Sequence, residues 1–128
     1  MPRILVIDDE PLIRSTVVTI LTREGFSVEK ASDGAAGIAM FRKNPPDVVI
    51  TDIFMPNRDG IEVVMELKRS YPHAKIIAMT GGGERRMMEI TSSAKLLGAD
   101  HILLKPFDRE SLLAAVNAAL GTASPPKR

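Results

Sequence analysis

A doubly wound α/β domain is the fold class this sequence predicts, and three observations predict it. Short apolar runs alternate five times with longer segments of helical period. Runs such as VVI (48–50) and IIAM (76–79) lack polar alternation, which suits parallel strands covered on both faces. Pro, Gly and Asp fall at the segment ends, where helix starts and stops call for them. The result is a (βα)5 unit whose right-handed crossovers put helices on both faces of one parallel sheet.

A strand over 3–7 (RILVI) opens the chain and ends at Asp8, Asp9 and Glu10. Pro11 can start the helix 11–24, in which Ile13, Val17, Ile20 and Leu21 share one stripe. Gly25 stands where a left-handed C-terminal cap is wanted. Strand 27–31 and helix 34–42 follow, then strand 48–51 and helix 60–69. Strand 75–79 leads to a helix over 87–97, which Gly98 can cap. In that helix Met87, Ile90, Ala94 and Leu97 make a plain buried stripe, leaving Met88 as a soft surface residue for a partner. Strand 101–104 precedes a last helix over 109–120, capped by Asp108. One domain over 1–121 is expected, and 122–128 (TASPPKR) has the composition of a flexible tail or linker stub.

Composition narrows the function. The 128 residues are 45% hydrophobic and 26% charged, ordinary for a globular domain with a real core. Aromatics make up 4% with no Trp, which disfavours a base-stacking surface. A net charge of +1 implies no polyanionic partner, and no DNA-binding motif is read in the chain. There is no cysteine, hence no disulfide or thiolate chemistry. Two acids break the N-terminal apolar run at once, so neither a signal peptide nor a membrane span is expected, and the cytoplasm is the default location. His73 and His101 are isolated and lack the spacing of a metal-ligand cluster.

Ligands of an open parallel sheet gather beyond the carboxyl ends of its strands, near the point where the strand order reverses. There the sequence puts Asp8, Asp9 and Glu10 after the first strand, Asp52 after the third, Thr80 after the fourth and Lys105 after the fifth. Converging carboxylates repel and call for a counter-ion. Hard oxygen donors with one Lys suit Mg²⁺. A carboxylate can also attack a phosphoryl group and hold it as an aspartyl-phosphate, a transfer that needs mainly positioning and charge neutralisation. Asp52, the lone acid at its strand end, is the best nucleophile, whereas Asp8 and Asp9 form a pair better suited to metal. A threonine hydroxyl such as that of Thr80 can donate to the new phosphoryl oxygen.

These residues carry a resemblance. ILVIDDEP (4–11), DVVITDIFMPNRDG (47–60), IIAMTGGG (76–83) and GADHILLKPF (98–107) together resemble the receiver domain of two-component response regulators. The likeness runs over nearly the whole chain. It implies a flavodoxin-like fold with strand order 2-1-3-4-5 and a phosphorylation-activated switch rather than an enzyme. Asp52 would accept a phosphoryl group from a histidine kinase or phosphotransfer protein. Mg²⁺ would be held by Asp9, Asp52 and the backbone carbonyl of Phe54, with Asp8 acting through water. Lys105 would pair with the phosphoryl oxygens, the Lys105-Pro106 peptide would be cis, and Thr80 would swing toward the phosphate. Pro56 and Gly60 would shape the loop after Asp52. A downstream protein would read the face made by 87–97, 101–104 and 109–120. The chain would be a single-domain regulator or the receiver of a longer one.

Three positions depart from the family's habit. Ile102 stands three residues before the Lys, where Tyr or Phe is usual. Phe54 and Gly82, two beyond Asp52 and Thr80, offer no side chain to position water. A comparatively long-lived phosphoryl group is therefore expected. With no aromatic at 102, more of the signal should travel through the backbone of the Gly81, Gly82 and Gly83 loop and the start of helix 87–97. Gly81 leaves space for the phosphoryl group, and Gly82 and Gly83 lower the resistance to rearrangement. The rivals are a pseudo-receiver interaction module, a metal-dependent phosphatase using an aspartyl-phosphate, and an FMN carrier. A phosphatase would want a second acid at Phe54 and a cap; an FMN carrier would not place acids after its first strand.

Overall fold

The computed structural model describes residues 2–53, 60–80 and 98–121. Five strands, β1 (Arg3–Ile7), β2 (Ser27–Ala31), β3 (Val48–Asp52), β4 (Lys75–Thr80) and β5 (His101–Leu104), form one parallel sheet in the order β2-β1-β3-β4-β5. Four helices lie among the described residues: α1 (Pro11–Arg23), α2 (Gly34–Lys43), α3 (Gly60–Ser70) and α4 (Arg109–Leu120). The expected helix 87–97, the residues Phe54, Pro56, Gly81, Gly82, Gly83 and Met88, and the tail 122–128 lie outside the described residues.

Both faces of the sheet are covered, and strand alternation divides the core in two. Ile4, Val6, Val48, Ile50, Ile77 and Met79 pack under Val17 and Leu21 of α1 and Leu112 and Val116 of α4. Leu5, Ile7, Val49, Ile76 and Ala78 face the other way, onto Ile38 and Phe41 of α2 and Val63, Val64 and Leu67 of α3. Continuous apolar strands are the consequence, because each side chain is buried whichever way it points. Edge strand β2 lacks cover on its outer side, and its SVEKA sequence is accordingly half polar.

Local chemistry fixes the helix ends. Pro11 occupies the first turn of α1. Gly25, at φ +95°, closes that helix: its N–H donates to Thr22 O and the Phe26 N–H to Leu21 O. Gly98 adopts φ +112° just ahead of β5. Asp33 and Asp108 cap α2 and α4 by accepting from the Ala36 and Ser111 N–H groups at 2.8 Å. The Ser111 backbone N–H, and then its side chain, hold the Asp108 carboxyl below the usual carboxylate value. Arg109 pairs with Glu24, tying α4 to the end of α1.

Polar clamps hold the N-terminal end of the sheet. The Arg3 N–H donates to Asp47 Oδ2, and its guanidinium donates to Pro45 O, Asn44 O and Glu29. Asp100 Oδ2 accepts from the Ile76 N–H and pairs with Lys68 Nζ at 3.1 Å. With that end tied by side chains, the opposite end is left for the strand-terminal acids.

Candidate functional site

The strand order places β1 beside β3, the point at which the chain stops adding strands on one side and starts on the other. Asp8, Asp9 and Asp52 meet there. One carboxylate oxygen from each lies within 4.8 Å of the other two. Asp8 is fully buried and Asp52 nearly so, while Asp9 is exposed.

Register puts the other two polar groups beside them. Asp52 pairs with Met79, so Thr80 is the next residue along the neighbouring strand. The Ile53 N–H donates to Met79 O at 2.9 Å, and the Lys105 N–H donates to Thr80 O at 2.7 Å. These two bonds lock the ends of β3, β4 and β5 together. The Lys105-Pro106 peptide is cis. Lys105 Nζ lies 3.4 Å from both Asp8 Oδ2 and Asp52 Oδ1. One ammonium among three carboxylates leaves an excess of about two negative charges when all are ionised.

Asp8 is engaged at both oxygens: Oδ1 accepts from the Glu10 N–H at 2.8 Å and Oδ2 faces Lys105. Thr80 is fully buried, and its Oγ1 has no hydrogen-bond partner among the described residues. A buried hydroxyl left unpaired costs about 1–3 kcal/mol. Among the described residues such a group is a donor lacking its acceptor, one residue beyond the strand partner of Asp52.

The Gly60 N–H donates to Ile53 O at 3.0 Å, tying the start of α3 to the residue after β3. A Cβ there would sit 1.9 Å from Asp52 O and 2.6 Å from Ile53 Cα. The start of α3 therefore touches the backbone of Asp52, an approach that only glycine permits. Ile102 is half-buried and packs against the core cluster on the α2–α3 side, and Phe107 packs against the other. His73 is exposed and His101 half-buried.

Arg14 was not singled out in the sequence, yet its Nη1 donates to Asp8 O at 2.7 Å. A cation in the first turn of a helix runs against the helix dipole, and that misfit was the available signal.

The donor set fits a hard divalent cation: three carboxylates at close range, excess negative charge and oxygen-only chemistry. Fold and site define a phosphoacceptor-type switch domain built at the end of a doubly wound sheet. Comparison with known proteins is consistent with that class. The family described as "Response regulator receiver domain" matches residues 4–117, and the chain belongs to it. Response regulator MprA of Mycobacterium sp. (strain KMS) is 37% identical over 123 residues, which are 96% of this chain and 52% of that protein. Chemotaxis protein CheY of Bacillus subtilis (strain 168) is 34% identical over 119 residues, 92% of this chain and 97% of that one. A crystal structure of a response regulator receiver domain protein from Clostridium thermocellum matches with TM-score 0.87 and 35% identity, covering 94% of this chain and 95% of that one. The chain spans about half the length of the MprA relatives it matches and nearly all of CheY.

Receiver domains are phosphorylation-activated switches of two-component systems; they bind Mg²⁺ at an acidic pocket and interact with histidine kinases and downstream effectors. No helix among the described residues is long and apolar enough to cross a membrane.

Proposed function

We propose that Asp52 is the phosphoacceptor of a cytoplasmic switch occupying 1–121, with 122–128 a tail or linker. The observation that carries the reading is the buried Thr80 hydroxyl, without a partner among the described residues and one residue beyond the strand partner of Asp52, with Lys105 Nζ 3.4 Å from the Asp52 carboxylate. An Asp52 oxygen forms the new O–P bond as the P–N bond to a donor phosphohistidine breaks. The imidazole leaves with that electron pair and takes a proton from solvent. Lys105 then pairs with a phosphoryl oxygen and Thr80 donates to another, satisfying its buried hydroxyl.

Asp9, Asp52 and the Phe54 carbonyl would hold Mg²⁺, and Asp8, with both oxygens engaged, would act through water. The bound cation would supply charge neutralisation around the acids and phosphoryl oxygens. Beyond accepting and slowly hydrolysing the group, the domain turns over no metabolite. Thr80 moving toward the phosphate would draw in Gly81, Gly82 and Gly83 and bias the face made by 87–97, Ile102 on β5 and α4, which a protein partner reads. Met88 would supply part of that contact. No direct binding of nucleic acid or membrane is proposed.

Treatment with a small phosphodonor tests the reading. Wild type should take up one Mg²⁺-dependent, alkali-labile phosphoryl group. Label that is indifferent to Mg²⁺ and stable to alkali would count against it. The lifetime has its own test, since Phe54 offers no group to orient water. Phe54→Asn should lose the phosphoryl group several-fold faster than wild type, by the usual effect of a positioned water. Faster decay in wild type would sink the argument from Phe54.

A further inference from the structure

We propose that Arg14 is a positioning residue for the divalent-cation site, fixing the turn between β1 and α1 on which Asp8 and Asp9 stand. The inference rests on the cation reading above and adds to it a residue outside the acid, Thr and Lys set. Arg14 is the fourth residue of α1, where the helix dipole disfavours positive charge. Its guanidinium turns back instead, donating from Nη1 to Asp8 O at 2.7 Å in a partly buried, charge-assisted bond.

That carbonyl belongs to the peptide linking Asp8 to Asp9, so its orientation sets the direction in which the Asp9 side chain leaves the backbone. Asp8 is thus held at four atoms. Its N–H donates to Ala31 O at 3.1 Å, its carbonyl accepts from Arg14, Oδ1 accepts from the Glu10 N–H and Oδ2 faces Lys105. The sheet supplies the first of these, the turn itself the third and β5 the neighbourhood of the fourth. The Arg14 bond ties the turn to the body of α1.

Charge and position predict opposite signs, and this makes the proposal decidable. By Coulomb's law alone, removing a cation close to the site would relieve its repulsion of Mg²⁺ and tighten binding. If Arg14 acts by holding the peptide, its removal weakens binding, as loss of an outer partner to a metal ligand commonly does by 10–100-fold.

The test is Mg²⁺ titration of the full chain, followed by the backbone amide NMR shifts of Asp9 and Glu10, with thermal unfolding measured in the absence of Mg²⁺. Arg14→Ala should weaken Mg²⁺ affinity about tenfold while unfolding near the wild-type temperature. Arg14→Lys, which keeps the charge and a donor, should recover much of the loss. Unchanged or tighter binding by Arg14→Ala overturns the inference. Should that variant fail to fold, Arg14→Gln is read by the same sign: weaker binding supports positioning, equal or tighter binding overturns it. A wild type that does not respond to Mg²⁺, or an Asp9→Asn variant that binds like wild type, overturns the cation reading itself and this inference with it.

Discussion

Asp52→Asn takes up no label from a small phosphodonor and Mg²⁺, under conditions in which the wild-type chain is labelled. The substitution keeps shape and removes the proposed nucleophile, because a neutral amide oxygen, although it has lone pairs, lacks the charge and the nucleophilicity of a carboxylate. It also removes one of three crowded negative charges. The variant should therefore fold at least as well as wild type when Mg²⁺ is left out, and loss of label cannot be blamed on unfolding. Lys105 would still sit against Asp8, at 3.4 Å, so the remaining pair stays neutralised in part. Equal label on both proteins would overturn the assignment of Asp52 and move the search to Asp9, the exposed acid of the group.

Gly60→Ala has the largest expected effect on stability. The new methyl carbon would lie 1.9 Å from Asp52 O and 2.8 Å from Asp52 C. Both are backbone atoms of a central strand and cannot swing aside as a side-chain end can. Either α3 shifts outward, opening its contact with Val49 and Ile53, or the end of β3 moves. Overpacking of this kind costs about 3 kcal/mol, readable as a lower urea midpoint at unchanged slope. Displacement of Asp52 should also slow labelling. Gly25→Ala makes a useful contrast, since nothing lies within 4 Å of its Cβ and only the φ of +95° resists it. About 1 kcal/mol is expected there, with labelling untouched. Wild-type stability in Gly60→Ala would contradict the need for glycine at this approach.

The fold was largely legible because a covered parallel sheet writes itself as apolar runs. RILVI, SVEKA and HILL were delimited as the structure has them, and the described helices were placed within a residue at their ends. The left-handed glycines at 25 and 98, the Asp108 cap and the cis peptide at Lys105 were legible too, the last only through the family resemblance. The polar strand ends could be read for the same reason as the strands: topology alone brings them together.

What stayed hidden depends on contacts between distant segments. No local pattern announces that Gly60 must touch Asp52 O or that Arg14 reaches back six residues to Asp8 O. Nor does it announce that the Thr80 hydroxyl is buried without a partner among the described residues. Each emerges only when helices are laid against the sheet. Ile102 illustrates the limit from the other side. Its departure from the family's aromatic was visible in sequence, while its packing against the α2–α3 cluster was not.

The central claim is that a phosphoryl group is carried by the Asp52 carboxylate. It is tested most directly by borohydride reduction of freshly phosphorylated protein, which converts an aspartyl-phosphate to homoserine, followed by peptide mass spectrometry. The account predicts homoserine at position 52 alone, formed only when Mg²⁺ is present during phosphorylation. Homoserine at position 8 or 9, or a phosphoryl group that survives reduction on His73 or His101, would contradict it.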